Sequence, residues 1–149
     1  MNLKLPRLES IPLLSWIVFL FWISLIFFFS SQGGDDSAEL SGGILEWINQ
    51  ILPFSLSLHV IRKIAHFTEF FILGALAFNL LRYYFQIDKK LFLKVAIFCL
   101  FYACSDELHQ LFIEGRGPSI MDVGIDFSGS LVSLFLIYLF ITYKKRKKA

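Results

Sequence analysis

Four long apolar runs alternate with short polar segments along the chain. The first, from about Ile11 to Phe29, carries no charge. The second, from about Ala65 to Tyr84, contains His66, Glu69 and Arg82. The third runs from about Leu91 to Cys104, and the fourth, containing Asp126, from about Val123 to Tyr143. A helix crosses the roughly 30 Å apolar core of a bilayer in about 20 residues, at about 1.5 Å per residue. The pattern therefore predicts an all-α, integral membrane bundle of four transmembrane helices, forming one domain over residues 1–149. Ionisable residues near the ends of the last three runs shorten what a strict hydropathy window accepts. Lys4 and Arg7 precede the first run as they would in a signal peptide. Its roughly 19 apolar residues exceed the usual 7–15, and no A-x-A site follows, so it is read as an uncleaved anchor.

Between the first two runs, Gly33-Gly34-Asp35-Asp36 predicts a turn, and Asp36 and Glu39 have capping-box spacing. After Gly42-Gly43, apolar residues recur at Ile44, Leu45, Trp47, Ile48, Ile51 and Leu52, with Glu46, Asn49 and Gln50 opposite. That spacing predicts a short amphipathic helix, ended by Pro53, in the first extracellular segment.

Composition agrees with the pattern. The 149 residues are 56% apolar and 17% charged, with 18 Phe, against about 45–50% and about 25% for a soluble domain. This excludes a large multi-domain enzyme and a disordered scaffold. Cys99 and Cys104 fit neither a redox nor a zinc-ribbon spacing. The distribution of charge fixes an orientation. Lys4, Arg7, Arg82, Lys89, Lys90, Lys94 and the tail from Lys144 to Lys148 place 11 of the 14 Lys/Arg on one side. The other side holds 10 of the 12 acids and only Arg62, Lys63 and Arg116. By the positive-inside rule both termini are cytoplasmic. The basic tail reads as a topology anchor, and no nucleic-acid partner is expected.

The ionisable residues inside the apolar runs are the candidate chemistry. Arg62, His66 and Glu69 share one helix face, as do Asp106, His109 and Gln110, and Asp122 and Asp126 stand one turn apart. A carboxylate at mid-span costs about 2.5–3.5 kcal/mol on insertion scales. The three faces are therefore expected to converge in a polar pocket that opens outward. Its candidate catalytic residues are His66, Glu69, Asp106, His109, Asp122 and Asp126. His66, Glu69, Asp106 and His109 are also candidate ligands for a divalent metal, because carboxylate-x-x-His spacing serves di-metal bundles and O/N donors suit zinc, manganese or iron. An acid/base pair without metal is equally consistent with these residues. Arg62, Lys63, Gln110 and Arg116 are candidate ligand- or phosphate-binding groups, arginine suiting oxyanions. Gly115-Arg116-Gly117-Pro118 predicts a turn that presents Arg116. No P-loop, Rossmann fingerprint or H-E-x-x-H is present.

Four segments in fixed order resemble the VanZ-like family of small bacterial membrane proteins. They are Ser30-Ser31-Gln32; Arg62-Lys63-Ile64-Ala65-His66-Phe67-Thr68-Glu69-Phe70 with Leu73-Gly74; Ser105-Asp106-Glu107-Leu108-His109-Gln110-Leu111-Phe112 with Gly115-Arg116; and Asp122-Val123-Gly124-Ile125-Asp126-Phe127-Ser128-Gly129. The resemblance covers about Ile11 to Tyr143. It implies a multi-pass protein of the bacterial cell membrane and a link to teicoplanin resistance, and it supplies no reaction. The expected function is a cell-envelope protein whose pocket binds or modifies an anionic, membrane-embedded ligand: a lipid, a lipid-linked wall precursor or a lipoglycopeptide. The alternative is a non-enzymatic accessory membrane subunit whose polar network is structural. Whether the protein is an enzyme is left open by the sequence.

Overall fold

The computed structural model describes residues 11–51 and 56–147. Lys4, Arg7, Leu52, Pro53 and Lys148 lie outside the described residues, as does the side chain of Asp36. Five helices follow one another: α1 (Ile11–Ser30), α2 (Gly34–Ile51), α3 (Leu58–Leu81), α4 (Lys89–Gln110) and α5 (Ile120–Arg146). There is no strand among the described residues. Three helices, α1, α3 and α5, are long and apolar enough to cross a membrane. The third apolar run does not meet that standard as α4. Its 22 residues begin Lys89-Lys90 and end through Asp106-Glu107, so the charged ends dilute the apolar centre.

Polar residues start the last three helices. Ser57 accepts from Val60 N at the head of α3, Asp88 from Leu91 N at α4, and Ser119 from Asp122 N at α5. Each satisfies a backbone donor that the first helical turn leaves free. The second helix departs from expectation. It begins at Gly34, so Gly33 to Asp36 form no separate turn, and it runs straight through Gly42-Gly43. Two glycines cost a helix about 1 kcal/mol each, but α2 packs along α3 and that contact overrides the local preference. Trp47 and Ile51 remain exposed on it.

The core is built around α3. Phe70, Leu73, Ala77 and Phe78 bury against Val95 and Cys99 of α4, Ile26 of α1 and Leu134 of α5. Cross-helix hydrogen bonds reach backbone carbonyls inside this apolar volume. Trp22 Nε1 donates to Glu69 O at 2.9 Å, Tyr102 Oη to Ile23 O at 2.9 Å, and Ser130 Oγ to Phe70 O at 3.1 Å. Such bonds join helices where apolar burial alone has little preference. The α3–α5 crossing is close. A Cβ on Gly129 would collide with the carbonyl of Phe67, and one on Gly74 would stand 3.0 Å from Ser130 O. Outside this core, Leu13, Phe21 and Phe28 of α1 and Phe135 and Phe140 of α5 are exposed. A contiguous apolar surface of that kind is suited to lipid rather than water.

Candidate functional site

One end of the bundle gathers the polar residues. The opposite end carries the basic residues Arg82, Lys89, Lys94 and Lys144, with Tyr83, Tyr84 and Tyr143 among them. At the polar end, α3 presents Arg62, His66 and Glu69 on one face, and all three line a pocket of ≈ 310 Å³. Asp106 from α4, Ser30 and Gln32 from the end of α1, Ser41 from α2 and Arg116 complete the polar part of its wall. Arg116 arrives on the turn after α4. Gly115 there has φ 74°, a left-handed conformation that glycine adopts without penalty. Arg116 Nη2 donates to Phe29 O at 3.3 Å. Burial, then the neighbouring Arg62 guanidinium, lowers its pKa below the ordinary arginine value. It remains cationic, since arginine does not deprotonate in proteins.

Beside the pocket lies a tighter group. One ligand-type atom from each of His66, Asp106, Glu107 and Asp126 falls within 4.8 Å of the others. Asp126 is fully buried, and Asp106 and Glu107 nearly so. Gln110 Nε2 donates to Asp106 Oδ2 at 3.0 Å and also approaches Ser30 Oγ at 3.1 Å. Ser119 N donates to Glu107 Oε2 at 2.7 Å. The remaining oxygen of Glu107, both carboxylate oxygens of Asp126 and His66 Nδ1 have no hydrogen-bond partner. His66 Nδ1 and Asp126 Oδ1 stand 3.3 Å apart, within ion-pair reach. An unpartnered buried polar group costs about 1–3 kcal/mol. Three of the four residues in this group, His66, Glu107 and Asp126, carry such atoms, which a cation or a polar ligand would satisfy.

The structure divides the residues picked from sequence. Arg62, His66, Glu69, Asp106 and Arg116 meet at the pocket. Asp126 sits behind it in the buried group, and Gln110 is buried on Asp106 and Ser30. Lys63 and Asp122 pair with each other and do not line the pocket. His109 turns to α1, where its Nε2 lies 3.0 Å from Ser31 Oγ and its ring stacks on Phe27 at 4.6 Å. Of the expected metal set, His66 and Asp106 belong to the four-atom group, while Glu69 and His109 give way to Glu107 and Asp126. Glu107 was legible in the spacing. The buried stripe of α4 is Leu91, Val95, Cys99, Ala103, Asp106, Glu107 and Gln110. Steps of three and four from Ala103 reach Asp106 and Glu107, and from there Gln110. Gln110 is the position that both Asp106 (four on) and Glu107 (three on) reach, and it is buried; His109, three on from Asp106 alone, is not part of the buried stripe.

A helical bundle with lipid-suited flanks and a polar pocket at one end defines a membrane-protein class. Residues 15–141 match the VanZ/LLP1 family, and the chain belongs to it. No curated protein and no solved structure matches the chain.

Proposed function

We propose that this VanZ-like protein is a cell-envelope protein of the bacterial plasma membrane, and that its pocket takes the anionic headgroup of a membrane-embedded ligand. A phospholipid, a lipid-linked wall precursor and a lipoglycopeptide share that chemistry. In this reading the chain crosses the membrane four times. At about 1.5 Å per residue, the 22 residues of α4 span about 33 Å, close to the apolar thickness of a bilayer. Its charges lie towards its two ends, and the stretch from Val95 to Ser105 has none. The excess of Lys/Arg at the other end of the bundle then puts both termini in the cytoplasm and the pocket outside.

The observation that carries the reading is the placing of two arginines, Arg62 and Arg116, on the wall of one pocket above His66, Glu69 and Asp106. Like charges are brought together where an anion is to be held, and the planar guanidinium suits a phosphate or carboxylate. The membrane-embedded tail of the ligand would lie along the apolar flanks. Contribution to teicoplanin tolerance follows if that ligand is a lipoglycopeptide or its target.

The second reading, an accessory subunit with a structural polar network, is favoured by the contacts outside the pocket. The Lys63–Asp122 pair and the His109 contacts with Ser31 and Phe27 tie helices together without facing the cavity. Binding of a short-chain polyprenyl phosphate, phosphatidylglycerol and phosphatidylcholine to protein in nanodiscs separates the two readings. The ligand reading expects preference for a phosphate-bearing anion, weakened by Arg62→Gln and by Arg116→Gln. Equal, charge-blind binding by all three proteins sinks it.

A further inference from the structure

The geometry points to a single divalent transition-metal site formed by His66 Nδ1 and one carboxylate oxygen each from Asp106, Glu107 and Asp126. These residues come from three different helices, α3, α4 and α5, and one ligand-type atom of each lies within 4.8 Å of the others. A spread set by local sequence would place them on one helix. Here the fold itself brings them together, at the crossing where Gly129 lets α5 close on α3.

Two observations separate this group from an ordinary buried cluster of acids. First, Asp126 is 0% exposed and neither of its oxygens has a hydrogen-bond partner. Its Oδ1 stands 3.3 Å from His66 Nδ1, an ion-pair approach in which neither atom makes a hydrogen bond. Second, the other carboxylates are each held by one oxygen and leave the other for a ligand. Gln110 fixes Asp106 through Oδ2, and the Ser119 backbone fixes Glu107 through Oε2, leaving Glu107 Oε1 buried and unpartnered. Ligating carboxylates are commonly oriented in this way by a second hydrogen bond.

Nearby cations do not take the cation's place. Lys63 is committed to Asp122. Arg62 and Arg116 line the pocket, and neither forms an ion pair with the cluster among the described residues. One nitrogen and three oxygens suit zinc or manganese better than a soft, thiolate-seeking ion. Ligand atoms about 2.1 Å from a tetrahedral metal stand about 3.4 Å apart, so the group contracts on loading through small side-chain rotations. His66 and Asp106 also line the pocket, so the metal would be reached from it and would share an incoming oxyanion with the arginines. The site stands on its own donors, whether or not the pocket takes a lipid.

The test uses the whole protein in nanodiscs, stripped with a chelator and reloaded with Zn²⁺, Mn²⁺ or Co²⁺. The expected results are one tight equivalent of metal, a metal-dependent rise in melting temperature, and a Co²⁺ spectrum and X-ray absorption fit with one nitrogen and three oxygens. Asp126→Asn and Glu107→Gln should each weaken binding by at least about tenfold, while His59→Gln, on the exposed start of α3, should not. Substoichiometric binding, metal binding indifferent to Asp126→Asn and Glu107→Gln, or a wild-type Co²⁺ fit lacking nitrogen overturns the site. If a variant does not fold, the wild-type stoichiometry and absorption fit still decide. Phosphate-lipid binding is measured on the same stripped and loaded samples. Lipid binding without metal leaves the pocket reading intact and removes this inference; metal without lipid does the reverse.

Discussion

His66 Nδ1 on α3 stands 3.3 Å from Asp126 Oδ1 on α5, across a crossing close enough that Gly129 has no room for a Cβ. The two residues are far apart in sequence and are joined by packing alone. Their energies should therefore be coupled. In a double-mutant cycle of His66→Gln with Asp126→Asn, unfolding of the detergent-solubilised protein should give a coupling of about 0.5–3 kcal/mol. A parallel cycle of His59→Gln with Asp126→Asn should be additive to within about 0.5 kcal/mol. Additivity in both cycles would mean that the pair does not interact.

The same crossing makes a prediction about glycine. Alanine is ordinarily better than glycine inside a helix, by about 1 kcal/mol. Gly124 has nothing within 4 Å of an added Cβ, so Gly124→Ala should stabilise by up to about that amount. Gly129→Ala drives a Cβ into the Phe67 carbonyl, which is backbone and cannot rotate away. It should destabilise by about 1–3 kcal/mol, the range for overpacking. Gly74→Ala, closing to 3.0 Å on Ser130 O, should fall between the two. The order of melting temperatures, Gly124→Ala above Gly74→Ala above Gly129→Ala, checks the packing.

The Lys63–Asp122 pair joins α3 to α5 with side chains 23% and 27% exposed. A partly solvated pair of this kind contributes about 0.2–1 kcal/mol. Lys63→Met should cost no more than that in thermal unfolding, and should leave pocket binding unchanged in affinity. A loss of several kcal/mol would show that the pair is a main brace of the fold.

Orientation can be read by labelling. If the pocket end faces outward, a membrane-impermeant maleimide should modify Glu46→Cys on exposed α2 in intact cells and miss Lys89→Cys until the membrane is opened. Native Cys104, which is exposed, is first replaced by Ser. Modification of Lys89→Cys in intact cells would reverse the proposed topology.

Much of this arrangement was written in the chain, and the exceptions have physical causes. The Arg62, His66, Glu69 face follows from helical periodicity, and all three residues reach one pocket. Insertion cost alone required Asp126 to turn inward, and it is fully buried. Helix α4 was harder. The Asp106, His109, Gln110 spacing at its polar end takes no account of the apolar stripe leading up to it. Packing against α3 and α5 continues that stripe and buries Glu107. The length of α2 was not legible either, because Gly42-Gly43 reads as a break when no neighbour is considered. The Lys63–Asp122 pair, like the His109–Ser31 contact, depends on relative helix rotation, which no single helix encodes.

The pocket and the buried group share His66 and Asp106, so the two can work as one unit. Glu69→Gln, Asp106→Asn and Asp126→Asn keep side-chain volume while changing charge and ligand character. His109→Gln alters a group that faces α1 through Ser31 and Phe27. If the first three residues act together on a ligand, each single variant should lose nearly as much function as the triple variant, because groups that work as a unit are strongly non-additive. If they only brace the bundle, each change should instead lower stability, by up to about 3–5 kcal/mol where a buried charge loses its partner. Membrane protein level and teicoplanin tolerance, measured side by side in each strain, separate the cases. Wild-type levels with tolerance lost in the three pocket variants, and no further loss in the triple, mark a binding or catalytic site. Collapsed levels in all of them mark a structural network. Wild-type levels with tolerance intact throughout would end the site reading, whatever the family.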